Sequence, residues 1–191
     1  MPLEHRERVL RAATSSFLAR GYASSVDHIA RRAGVAKQTV YHHFASKDEL
    51  FKAVAHDLTK RVLVELEAEP HDLRAALLRF AVAYRGRVLG AQGIATFRTV
   101  VPEIARFRAL ARSMYAASAG EMARQLGDYL GRAMQAGRLR RDDPLFAAEL
   151  LLGMLVGHDR IKRLFGVTAH NGSDAARSTQ IVDCFLRAYA P

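Results

Sequence analysis

Within six residues, Lys37, Gln38, Thr39, Tyr41 and His42 supply a cation, an amide, two hydroxyls and an imidazole. Wound at about 100° per residue, the stretch 37–44 puts Val40 and Phe44 on one side and Gln38 and His42 on the other. Lys37, Thr39 and Tyr41 flank the polar side, and the whole face is too polar for ordinary core. It offers donors, acceptors and a charge together, which suits hydrogen bonding to a polar partner.

The residues just before this stretch must position it. Val26, Ile29, Ala30 and Ala33 step at helical intervals and lead to Gly34, which is placed to end a helix because glycine takes the left-handed backbone conformation without steric cost. Two short helices over residues 25–44, joined by a three- to four-residue turn, make the helix-turn-helix arrangement that lays its second helix in the major groove of DNA.

The remaining elements follow from punctuation. Helix 1 is expected from about Leu3 to Arg20, with Val9, Ala13 and Phe17 inward and Gly21 as its stop. Helix 2 follows a Ser24-x-x-Asp27 capping pattern, and helix 4 opens on Ser46-x-x-Glu49, a capping box. Helix 4 then carries Leu50, Val54, Leu58, Val62 and Leu66 before Pro70, a connecting rod between two parts of the chain. Further helical patterns cover Leu73 to Val88, Ile94 to Ile104, about Arg108 to Ala136, Pro144 to Leu164 after an Asp143 cap, and Asp174 to Tyr189. No alternating strand pattern and no internal repeat occurs. The expected fold is all-α with about nine helices: a three-helix helix-turn-helix domain over 1–50 and a helical domain over 51–191.

Composition narrows the class. Half of the 191 residues are apolar and a quarter charged, enough for one or two helical domains with a core. The net charge of +10 is uneven: residues 1–47 hold eight Lys or Arg against three acids, and the other 144 residues hold 21 against 16. Positive charge per residue is thus about threefold denser over the helix-turn-helix, the footprint expected of a surface that meets phosphates. The single cysteine, Cys184, excludes an internal disulfide and leaves no CxxC pair. No leader-like or membrane-spanning apolar run is evident, and the cytoplasm is the expected compartment. For catalysis the chain lacks HExxH, a phosphate-cradling glycine loop, GxSxG and zinc-spaced cysteines, so no catalytic residue, metal or cofactor is assigned.

The run from Glu7 to Phe51, ERVLRAATSSFLARGYASSVDHIARRAGVAKQTVYHHFASKDELF, resembles the N-terminal domain of the TetR/AcrR family of transcriptional regulators. Ala12, Ala13, Phe17, Gly21-Tyr22, Ile29-Ala30, Ala33-Gly34-Val35, Thr39 to Phe44 and Ser46 to Leu50 match at fixed spacing. One departure is Ala36, where the family usually has serine; alanine cannot accept a hydrogen bond from the first turn of helix 3. The segment Phe97 to Phe107, on through Leu110 and Tyr115, is similar to the AefR-like C-terminal domain of that family, with Arg108 where the family commonly has proline.

The resemblance implies a homodimer that binds a partly palindromic duplex operator, represses transcription, and is released by a small-molecule effector. A ligand-independent DNA-binding or architectural protein, or an activator of the same fold, would share the N-terminal half. Carried over residue by residue, Lys37 and Gln38 reach base edges: lysine suits guanine O6 and N7, glutamine adenine N6 and N7. His42 reaches a base or a phosphate, while Thr39, Tyr41, Lys47 and Ser25 touch the backbone. Tyr41 as a half-buried ring against helix 1 and Ser25 as a simple cap are equal readings, and His43 is expected inside.

A ligand cavity is expected between helices 4 and 8, with Phe80, Tyr84, Phe97, Met114, Tyr115, Met122, Met154 and His158 as lining candidates. At helical spacing these residues equally describe plain core. The last two helices are apolar over broad stripes, and Leu152, Leu155, Val156, Ile181 and Phe185 are candidates for a two-fold seam that the family builds as a four-helix bundle.

Overall fold

The computed structural model describes residues 2–67, 72–104, 108–167 and 173–191, and every regular element among them is helical. The chain divides into two compact units: Met1–Leu58 with Ala95–Ser118, and Thr59–Ile94 with Ala119–Pro191. The boundary at residues 50 and 51 suggested by the sequence and the division after Leu58 both fall inside one helix, α4.

The first unit is built on α1 (Pro2–Arg20), α2 (Val26–Ala33), α3 (Lys37–His43) and the first half of α4 (Lys47–Glu67). Its core gathers Val9, Ala13 and Phe17 from α1, Ile29 and Ala30 from α2, Val40 and Phe44 around α3, and Leu50, Phe51 and Val54 from α4, as the periodicity predicts. Gly21 and Gly34 take left-handed φ values of 61° and 66°, so both punctuating glycines do what their positions require. A Cβ on Gly34 would lie 2.6 Å from the Arg8 guanidinium, which closes that turn by donating to Ala33 O at 2.7 Å and Gly34 O at 3.1 Å.

The second unit combines the rest of α4 with α5 (Leu73–Leu89), α8 (Glu121–Gln135), α9 (Pro144–Leu164) and α10 (Asp174–Ala188). Leu77, Phe80, Leu126, Leu130, Leu151, Leu155, Val182 and Phe185 are wholly buried there. Asp72, Asp143 and Ser173 each cap the helix that follows, accepting from backbone amides at 2.8 to 3.4 Å.

Three local expectations change. Helix 2 is capped by Ser25, not Ser24: His28 N–H donates to Ser25 Oγ at 3.2 Å, while the buried Ser24 hydroxyl donates to Ser16 O at 2.9 Å. The long helix expected over 108–136 contains a five-residue π-helical turn, Ala116–Gly120, between α7 (Arg108–Tyr115) and α8. Finally, α9 is not straight: Gly157, with φ 19° and ψ −123°, breaks its backbone. The segment α6 (Ala91–Val100) ends in a 3₁₀ turn through Pro102. Pro70, Ala105 to Phe107 and the loop from Thr168 to Gly172 lie outside the described residues.

Candidate nucleic-acid interface

Gly34 turns the chain so that only three residues separate α2 from α3, and Val40 and Phe44 then anchor α3 to the core at 1% and 5% exposure. Anchoring that side leaves Lys37, Gln38, Tyr41 and His42 exposed and Thr39 half-buried. The polar face read from the sequence is therefore presented as one surface. Ala36 stands at the cap of α3 with no side-chain hydrogen bond, and only its carbonyl serves the helix, accepting from Thr39 N at 3.0 Å. His43 is half-buried; partial burial, then the neighbouring His42, His5 and Arg6, hold its imidazole below the ordinary value.

Lys37 Nζ lies 3.0 Å from Asp27 Oδ2 across the turn, and this carboxylate raises the ammonium above its usual range. The pair spans ten residues, a separation no helical spacing announces, so sequence reasoning missed Asp27. Both members are exposed, and exposed pairs hold weakly enough for a base edge to compete.

Lys47 opens α4. It is half-buried, with Nζ 4.1 Å from the Tyr22 ring centroid, and burial lowers its ammonium despite the opposing pull of Asp48. The Tyr22 hydroxyl donates to Asp48, and burial together with that carboxylate pushes the phenol up to about 12. Tyr22 thus props the base of Lys47 while its ring packs on Phe17 and Phe51, at 6.4 and 5.5 Å between centroids. Ser25 is exposed at the start of α2, and its hydroxyl caps that helix.

The cavity candidates divide between the units. Phe80 stacks on Tyr84 at 5.7 Å, and both join Met122 and Met154 in the second core. Phe97, Met114 and Tyr115 belong to the first unit, where Met114 packs on the helix-turn-helix core and Tyr115 is exposed. His158 is exposed beside the α9 break. Of the seam candidates, Leu155, Val156, Ile181 and Phe185 are buried within a single chain and Leu152 is half-buried. The apolar surface that α9 leaves open is instead Leu145, Phe146, Leu150 and Ile161. Among the described residues no group of His, Cys, Asp and Glu forms a metal site, and no helix is long and apolar enough to cross a membrane.

Comparison with known proteins places both halves. The family profile described as "Bacterial regulatory proteins, tetR family" matches residues 9–54, and that of the "AefR-like transcriptional repressor, C-terminal domain" matches residues 75–191. Over 52 residues the chain is 52% identical to the HTH-type transcriptional activator FasR of Mycolicibacterium smegmatis, covering 27% of this chain and 24% of FasR. Over 63 residues it is 38% identical to the HTH-type regulator YhgD of Bacillus subtilis, covering 32% and 33% of the two chains. The match therefore spans about a quarter to a third of the length of these curated relatives. Among solved structures, the flavonoid-responsive regulator FrrA superposes with a TM-score of 0.71 at 30% identity, covering 98% of this chain and 97% of that one. A TetR-family regulator from Mesorhizobium loti reaches a TM-score of 0.79 at 22% identity, covering 100% and 99%. With the exposed polar helix of a helix-turn-helix unit at one end and the AefR-like profile over residues 75–191, this chain belongs to the TetR family of bacterial transcriptional regulators.

Proposed function

We propose that the protein is a cytoplasmic repressor that binds a palindromic operator as a homodimer and is released by a small-molecule effector. The observation that carries this reading is the exposed α3 face, Lys37, Gln38, Tyr41 and His42, held by a buried Val40 and Phe44 within the segment that matches the family. Lys37 and Gln38 read base edges, His42 reaches a base or a phosphate, and Thr39, Tyr41, Lys47 and Ser25 hold the backbone. A two-fold dimer sets its recognition helices in successive major grooves roughly 34 Å apart, so a shift of a few ångströms breaks the register. An effector that prefers the non-binding form by about 5.5 kcal/mol swings the population from 1:99 to 99:1. FrrA, at 30% identity, is described as flavonoid-responsive, which supports control by a small organic molecule; the second unit, whose core includes Phe80, Tyr84, Met122 and Met154, would be its receptor.

Repression is favoured because the AefR-like repressor profile covers 75–191, more of the chain than the FasR match. The FasR name motivates activation as the second reading. The deciding experiment combines sedimentation with duplex binding across salt concentrations. A dimer whose log-log salt slope falls by about 0.9 for each neutralised phosphate is expected. A monomer that retains no duplex at low salt overturns the proposal, and transcription from a promoter carrying the selected operator separates repression from activation.

A further inference from the structure

A cleft of about 500 Å³ opens between α1 and α2 and is lined by Arg8, Arg11, Ser15, Arg31 and Arg32 together with small residues, with no acid among its lining. Four guanidiniums around one concavity oppose each other unless something negative stands between them. Arg8 has its partners: it donates to Ala33 O and Gly34 O, offsetting the negative end of the α2 dipole. Arg11, Arg31 and Arg32 are exposed, and their guanidiniums have no hydrogen bond or ion pair among the described residues. The charges of Arg31 and Arg32 reach His28 on the same helix, whose imidazole is lowered first by partial burial and then by Arg20, Arg31 and Arg32.

The cleft adjoins the recognition helix. Asp27, which holds Lys37 at the start of α3, stands one turn before Arg31 on α2 and on the same side of it. A major groove is about 12 Å wide, so a helix seated in it has phosphate ridges on both sides. The end of α2 and the turn at Gly34 lead into the first residue of α3, beside which one of those ridges would pass. Planar guanidinium forks are suited to bidentate contact with phosphate oxygens.

We propose that Arg11, Arg31 and Arg32 form a second phosphate-binding surface that clamps the DNA backbone flanking the groove entered by α3. This rests on the DNA-binding reading above. It adds a sequence-independent share of affinity from α1 and α2 to the backbone contacts of Ser25, Thr39, Tyr41 and Lys47, leaving Lys37 and Gln38 to discriminate bases.

The test uses the full chain with all three arginines changed to alanine; Arg8 is left alone because it closes the α2 turn. Binding to a random-sequence duplex is followed across salt concentrations, with phosphate ethylation interference on the operator. The expected result is a log-log salt slope reduced by about 0.9 for each phosphate that the variant no longer neutralises, with interference abolished at phosphates flanking the groove. The R11K/R31K/R32K variant should keep most of the slope. Circular dichroism matching the parent confirms the fold, which these exposed side chains do not support. If the parent binds duplex and the alanine variant has the same slope and interference pattern, the clamp is overturned while DNA binding stands. Loss of binding to an acidic peptide with an unchanged duplex slope also overturns it, assigning the cleft to a protein partner. A parent chain that binds no duplex at all overturns the DNA-binding reading itself.

Discussion

Arg85 and Asp159 meet at 2.9 Å inside the second unit, the guanidinium with no exposure and the carboxylate side chain with 7%. Arg85 also donates to Asp174 Oδ1 at 2.8 Å and to Leu155 O at 2.5 Å, just before the break at Gly157. Arg163 completes the network, donating to Asp174 at 2.8 Å and to Leu89 O at 3.0 Å. One side chain of α5 thus joins both sides of the α9 break to the start of α10.

Arg85→Met is expected to cost about 3 to 5 kcal/mol, because it leaves a buried carboxylate without its main partner. Arg177 Nε, at 3.8 Å, is a more distant partner for Asp159. Replacing Asp159 by Leu in the same chain should recover much of the loss, since removing both charges also removes the desolvation cost. Urea unfolding of the two variants measures this, and a loss under about 1 kcal/mol for Arg85→Met would show that the network contributes little.

The same network sets an acid limit. Burial alone raises the Asp174 carboxyl, but hydrogen bonds and charge from Arg85 and Arg163 outweigh it and hold the group below its ordinary value. An unfolded carboxyl titrates near pH ~3.9, so the stabilisation is complete above that pH and disappears as pH falls through the lower folded value. Asp183 acts in the same direction through its hydrogen bond with Arg74. Stability is expected to drop below about pH 4. Asp174→Asn should flatten part of that drop, which thermal unfolding across pH reads out; an unchanged pH profile would remove Asp174 from the account.

These charges show why the two halves differed in legibility. In the helix-turn-helix, cores and caps obey local spacing: Val40 and Phe44 one turn apart, Gly34 after an apolar stripe, Ser46 three residues before Glu49. Periodicity therefore revealed the polar α3 face. Asp159 and Asp174 lie 74 and 89 residues from Arg85, and nothing in such spacing pairs them with it. Ser24 and Ser25 are adjacent and both competent caps, so the choice fell to tertiary structure, which occupies Ser24 with Ser16 O. The cavity candidates were least legible, because an aromatic or methionine at helical spacing fills core in the same pattern in which it lines a pocket.

Base reading and backbone holding should separate by mutation. Gln38 is exposed on α3, whereas Lys47 is held at the base of α4 over the Tyr22 ring. Gln38→Ala is expected to relax preference at one base pair per half-site by about 1 to 3 kcal/mol. Lys47→Ala should weaken operator and random duplex alike and flatten the salt slope. Competition between the two duplexes measures both, and an equal loss on both for Gln38→Ala would remove its base-reading role.

The last prediction concerns the face through which two copies would meet. Phe146 and Leu150 are 55% and 38% exposed on α9 at a spacing of four, and Gly153 continues that face with open space where a side chain would project. Bulky apolar groups beside a bare glycine suit close approach by another helix, and this stripe is what α9 does not use within its own chain. Leu155 and Phe185 are fully buried within the chain. Phe146→Lys with Leu150→Lys should therefore give monomers with parental helical content and weakened operator binding. Leu155→Lys should instead unfold the second unit, since it forces an ammonium into a packed apolar core. Sedimentation read together with circular dichroism distinguishes the two. A folded Phe146→Lys/Leu150→Lys protein that stays dimeric would move the seam off this stripe, and a folded monomer from Leu155→Lys would return it to the residues buried in the core.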